Sequence, residues 1–180
     1  MTQHSPKRVG NRHRDIPIAP IVLNERSRSL ARVLEDTIPN ELDAIISAEV
    51  DMVTVKSSPE CLLAICQFLK VTDGLDFNYL CSISVVDYEQ SKGTFEVIYH
   101  LVSLARYHKV AIKVSLPAIE PIVSSVTGIW RAADWFEREG HDLFGIVFDG
   151  HPDLSPLLLY DGFDGFPGRK SFPFHDYQEW

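Results

Sequence analysis

Apolar residues recur at two different periods along this chain, and in its last part at none. Leu30, Val33, Leu34 and Ile38 form a stripe at helical spacing. Asn24 stands where it caps a helix over about Glu25 to Asp36, and Pro39-Asn40 ends it. A short strand is predicted over Ala44 to Ser47, and a stronger one over Met52 to Lys56, where Val53 and Val55 share a face. Ser58 with Pro59 behind it predicts the start of a second helix. Its apolar face is Leu62, Ile65, Cys66 and Leu69, and Gly74 lies just past its end. The period then changes to two. Leu80 to Asp87 alternates with Cys81, Ile83 and Val85 on one side. Thr94 to Leu104 does so with Phe95, Val97, Tyr99 and Leu101, and Lys109 to Leu116 with Val110, Ile112 and Val114. A hairpin loop over Tyr88 to Gly93 and a turn near Arg106-Tyr107 join these strands, and Ile119 to Val126 reads as a connector. Ile129, Ala133 and Phe136 return to helical spacing, which Gly140 and Gly145 interrupt. Beyond Gly150 neither period holds, although Phe, Leu, Tyr and Trp remain frequent.

Helix, two strands, helix, then a meander predicts an α+β fold of two layers. Its helices pack on one face of a mixed, largely antiparallel sheet, and an extended C-terminal tail follows. Three parts are expected: a basic flexible arm over 1–22, an α+β domain over 23–148, and an extended partner-binding tail over 149–180. The tail must either fold back over the sheet or lie along another protein, and its aromatic, Pro/Gly-punctuated composition favours the second.

Charge sharpens this division. Residues 1–32 hold seven Lys/Arg against Asp15 and Glu25, a net of +5, within a chain whose total is −8. The remainder therefore carries −13, and an acidic body argues against nucleic acid as the main ligand. No run of 18 apolar residues occurs, so no membrane span is expected. The polar, basic N-terminus has no signal-peptide pattern, and a cytoplasmic chain is expected. Cys61, Cys66 and Cys81 are odd in number, lack a C-x-x-C spacing and read as core thiols. Three scattered cysteines do not supply an iron–sulfur cluster.

The chemistry-bearing residues gather between 134 and 170. His141, Asp142, His151 and Asp153 are metal-ligand types, but their spacing matches no recognised site. Asp161 to Gly165 lacks the regular oxygen ligands of a calcium loop. Glu137-Arg138-Glu139 reads as a charged helix face, with Asp134 and Arg138 spaced to pair at i, i+4. Arg169-Lys170 are the only Lys/Arg from residue 139 onward. These charges are expected to dock a partner through Arg–carboxylate bonds.

The stretch W-x-x-A-D-W-x-E-R-E-x-x-D-L-F-G-I-x-F-x-G-H-P-D-L from Trp130, followed by G-F-x-G-x-P-x-R-K-x-F-P to Pro173, resembles the signature of one family. That family is the 30-kDa-type subunit, designated C, of NADH-quinone oxidoreductase (respiratory complex I). A homologous subunit occurs in membrane-bound [NiFe]-hydrogenases. The resemblance implies an α+β, non-catalytic subunit of a hydrophilic arm, peripheral on the cytoplasmic side of the inner membrane and reaching the membrane only through the complex. It implies no cofactor in this chain; quinone, iron–sulfur clusters and flavin or nickel–iron belong to partner subunits. The implied partners are the large, hydrogenase-like quinone-site subunit and the subunit with the terminal iron–sulfur cluster. The implied interface residues are Glu137, Arg138, Glu139, Asp142, His151, Arg169 and Lys170, with Trp130, Trp135, Phe144 and Phe148 as anchors. The chain departs from the pattern at Ser155 and Pro156, where two basic residues are usual, at Phe166, where His or Trp is common, at Gly168, and at Ser171, where Asp is usual. Other classes stay open at this point: a metal-dependent enzyme using His141, Asp142 and His151, and a binding module whose basic arm contacts RNA.

Overall fold

The structure, a computed structural model, describes residues 23–49 and 51–173. The predicted basic arm over 1–22 and the end of the tail from 174 lie outside the described residues. The first helix, α1, spans Glu25–Thr37, and the Asn24 side chain accepts the Ser27 N–H at 2.8 Å, as its position before the apolar stripe predicts. Strands β1 (Ile45–Glu49) and β2 (Met52–Ser57) form an antiparallel pair. Helix α2 covers Leu62–Val71, later than predicted. Pro59 to Cys61 form a turn closed by the Cys61 N–H on the Ser58 carbonyl, so Ser58 follows β2, opens that turn and does not cap the helix.

Strand β3 (Tyr79–Tyr88) leads through one short turn of helix, α3 (Glu89–Lys92), into β4 (Thr94–Ser103) and β5 (His108–Pro117). Gly93 takes φ +68° to close the hairpin. The sheet order is β1-β2-β5-β4-β3, parallel between β2 and β5 and antiparallel elsewhere. Register puts Val53, Val110 and Leu101 in one row, and Val55, Ile112, Tyr99 and Ile83 in the next. All are buried, and α1 (Leu30, Leu34) and α2 (Leu62, Ile65, Leu69) complete one core with them. The opposite face carries Lys56, Lys113, Glu49 and Glu96 in an ion-pair network.

Two features escaped the alternation. A bulge between Leu80 and Ser82 gives β3 an extra residue, so Cys81 is exposed instead of facing the core with Ile83. The predicted connector contains β6 (Ile122–Ser124), which pairs in parallel with β7 (Val147–Asp149). Between them runs helix α4 (Ala133–Phe144). It does not break at Gly140. A Cβ there would stand 3.2 Å from the Phe148 ring and 3.3 Å from Val85, so glycine allows the helix to approach the strands closely. The helix ends at Gly145, whose φ of +73° is the left-handed C-cap. Trp130, ahead of α4, is buried and donates its indole N–H to the Phe77 carbonyl at 3.1 Å.

Candidate functional site: the strapped face of helix α4

Residues 134, 138 and 142 are spaced at i, i+4 and i+8 and so share one face of α4. Each grips a successive part of the tail. His151 points its Nε2 at the Asp134 carbonyl (3.3 Å) and the Asp134 carboxylate (3.5 Å). Arg138 donates through Nε to the Ser155 carbonyl, and through one terminal nitrogen to Ser155 Oγ and the Pro156 carbonyl, at 3.0–3.1 Å. One oxygen of Asp142 accepts the consecutive N–H groups of Leu157, Leu158 and Leu159 at 3.1, 2.7 and 2.9 Å. Burial raises the Asp142 carboxyl, but these three donors, with His141 nearby, outweigh it and hold the group below the ordinary aspartate value. The tail thus runs along α4 in the direction of the helix.

A second set of contacts holds residues 168–170. The Gly168 N–H donates to the Leu143 carbonyl at 2.9 Å, and Arg169 Nε to the Phe144 carbonyl at 2.8 Å. The Arg169 guanidinium lies over the Phe95 and Phe166 rings, at 4.9 and 4.7 Å. Lys170 gives its backbone N–H to the Asp87 carboxylate at 2.7 Å and its ammonium to the Asp87 carbonyl at 2.8 Å. Tyr160, Phe163 and Phe172 pack ring on ring within the tail.

Glu137 faces the other way, fully buried, and is no part of a solvated charged face. Its carboxylate accepts the Ser125 hydroxyl at 2.6 Å and the Val126 N–H at 2.7 Å, which ties α4 to the end of β6. Burial pushes this carboxyl up, against the lowering pull of Ser125, Val126 and His151. The Cys66 thiol and Tyr99 hydroxyl beyond it are buried and likewise pushed up, chiefly by burial.

Of the seven predicted interface residues, Arg138, Asp142, His151, Arg169 and Lys170 are brought together by binding the tail to its own domain. Glu137 bonds inward, and Glu139 is exposed. The expected Asp134–Arg138 pair is not among the ion pairs of the described residues, because Arg138 turns to the tail carbonyls and Asp134 to His151. Trp135 is 64% exposed, whereas Trp130 and Phe148 are buried. His141 donates Nδ1–H to the Ile146 carbonyl at 2.8 Å, apart from the His151 contacts. Among the described residues no three His, Cys, Asp or Glu side chains are grouped to hold a metal. The cleft left between α4 and the tail, about 120 Å³ and bordered by His141, Leu154 and Tyr160, is small beside an ordinary ligand site.

Sequence reasoning missed Asp87, which is buried and organises both the α3 turn and Lys170. Its signal was available. Asp87 continues the inward positions Ile83 and Val85, and an inward carboxylate needs partners. The departures from the family pattern also have local causes. Gly168 lets the chain pass where a Cβ would come within 2.8 Å of Phe144 and 2.9 Å of the Leu143 carbonyl. Ser171 donates to Glu89 at 3.0 Å, where an Asp would repel it.

This is an α+β domain with a tail strapped along its last helix. Its sequence over residues 55–178 matches the family of the respiratory-chain NADH dehydrogenase 30-kDa subunit. The chain belongs to that family. It is 45% identical over 121 residues to the NADH-quinone oxidoreductase subunit designated C 2 of Rhizobium meliloti, covering 67% of this chain and 66%, just under two thirds, of that relative. Among solved structures, a trypsin-resistant fragment of Nqo5 aligns with a TM-score of 0.60 and 32% identity, over 69% of this chain and 98% of the fragment. A chain of the membrane-bound sulfane sulfur reductase, an archaeal respiratory membrane complex, shares the fold, with a TM-score of 0.68 over 83% of this chain and 86% of that one at 21% identity. No helix among the described residues is long and apolar enough to cross a membrane.

Proposed function

We propose that this chain is a structural, non-catalytic subunit of the hydrophilic arm of a complex I-type NADH/quinone oxidoreductase, without a redox centre of its own. The observation that carries this is how the family signature spends its polar groups. Glu137, Arg138, Asp142, His151, Arg169 and Lys170 bind backbone and side chains of their own chain. Groups bound in this way fix the course of the tail and its seat on α4. The strap leaves Leu158 and Tyr160 exposed at 61 and 72%, beside Trp135 of α4 at 64%. Exposed aromatic and aliphatic residues in a pinned segment are the raw material of a partner contact. The partners are the large quinone-site subunit and the subunit that holds the terminal iron–sulfur cluster, on the cytoplasmic side of the membrane. In this reading residues 149–180 are the partner-binding part of the chain, and the inner side of residues 151–169 is committed to α4.

Native purification of the tagged chain tests this. Co-purification of the large subunit and the iron–sulfur subunit is expected, and Tyr160→Ser should reduce their recovery while the isolated chain keeps its circular dichroism. Recovery of the chain free of other oxidoreductase subunits would contradict the proposal. A large subunit with four nickel–iron cysteines would move it to the hydrogenase-type complex.

A further inference from the structure

The imidazole of His151 has no exposed surface, yet it lies between two carboxylates, Asp134 at 3.5 Å and Glu137 at 3.9 Å. Its two nitrogens do different work. The backbone N–H of Asp153 donates to Nδ1 at 3.0 Å, so Nδ1 carries no proton. Nε2 points at the Asp134 carbonyl, an acceptor, so Nε2 holds the ring's one proton. The docked geometry therefore requires the neutral Nε2–H tautomer. A second proton must go to Nδ1, where it meets the Asp153 N–H head on.

We propose that His151 is a proton-sensitive latch: its neutral ring pins the 151–155 turn to α4, and protonation at Nδ1 expels the Asp153 N–H and frees the turn. The turn is built in series on that bond, since Asp153 in turn accepts the Ser155 N–H at 2.9 Å, and Ser155 is the residue that Arg138 grips. Loss of that link thus loosens the second rung, at Ser155, while the Nε2 contact to Asp134 stays. The charged and titratable groups around the ring are Asp134, Glu137 and Arg138 on α4 and Asp153 in the tail, with Cys66 of α2 and Tyr99 of β4 on the far side of Glu137. The two carboxylates stand on the Nε2 side of the ring, so the group that a proton at Nδ1 displaces is the Asp153 N–H and not the ring itself. The latch stands on this geometry alone. The proposed function adds only its consequence, that the partner-facing side of the tail would shift with proton supply.

Hydrogen exchange on the full chain, read by mass spectrometry at pH 7.5 and 5.5, tests it. If the docked turn excludes a proton at Nδ1, protection of peptides over residues 151–159 falls about tenfold between the two pH values. Peptides from α2 and β4 should hold theirs. His151→Asn keeps an acceptor for the Asp153 N–H and takes up no proton, so its protection should be flat across the same range. Glu137→Gln should retain the fall. Unchanged protection in the wild type, or an equal fall in His151→Asn, overturns the latch. Ring NMR gives a reading free of any variant: an imidazolium His151 with the 151–155 turn intact also overturns it.

Discussion

The sheet domain and the strapped tail are held by opposite means. The domain's stability lies in rows of buried Val, Leu, Ile and aromatic side chains spread over both sheets and the helices packed on them, so no single contact decides it. Residues 150–173 have no strand or helix of their own, and their large apolar side chains are at best half-buried, with Leu158 and Tyr160 exposed. They are positioned by a few polar groups, each of which binds several backbone atoms. Burial gives a robust body. Point ligation gives a segment whose position is set, and reset, by single residues.

The most damaging substitution should be one that attacks the boundary between the two regimes. Glu137→Ala leaves the Ser125 hydroxyl and the Val126 N–H without their acceptor inside the body. It should cost about 3 kcal/mol in urea unfolding, and a loss below 1 kcal/mol would place Glu137 outside the structural core. Gly145→Ala comes next. At φ +73°, its Cβ would meet the Phe166 ring at 2.6 Å and the Arg169 guanidinium at 2.8 Å. About 2 kcal/mol should be lost to the left-handed backbone and the displaced tail, seen as a lower melting temperature. Asp142→Ala should cost about 1–2 kcal/mol, and should do so selectively: limited proteolysis should speed up between residues 155 and 165 with far-ultraviolet dichroism unchanged. Global unfolding in this variant would show that tail and body are one cooperative unit. Leu158→Ser should stay within about 0.5 kcal/mol of the parent, while weakening recovery of the partner subunits.

Acid should separate the two α4 carboxylates. Glu137 has a raised value in the folded chain, so its ionised form costs stability at neutral pH. That cost is relieved as pH falls through the raised value toward the unfolded ~4.3. Asp142 has a lowered value, so its contribution is present above the unfolded ~3.9 and is lost as pH falls through the folded value. Stability of wild type minus Asp142→Asn, followed by urea titration, should therefore shrink only below about pH 4. A difference that already shrinks near pH 6 would assign the three N–H groups another acceptor.

The body was legible because its signals are periodic and local. The inward rows of β4 and β5, the α1 cap at Asn24 and the α2 face each follow from spacing within one element. What was missed depends on contacts far apart in the chain. Nothing within residues 119–126 announces β6, because its partner strand lies 25 residues on. The bulge at Cys81 is a property of how β3 pairs, not of its own alternation. Gly140 reads as a break in one dimension and as a close approach in three. The α4 charges were the hardest case: their types and spacing mark a structured face correctly, yet whether that face holds a neighbour or the chain's own tail depends on where residue 157 returns.

The three grips on α4 lie one helical turn apart, so the helix acts as a ruler for the segment it holds. Adding or removing one residue between His151 and Leu159 would put every later grip out of step. The stretch from Asp161 to Gly165, which none of the three rungs touches, has slack to absorb such a change. Length variation among related chains should therefore collect in that second stretch and be absent from the first.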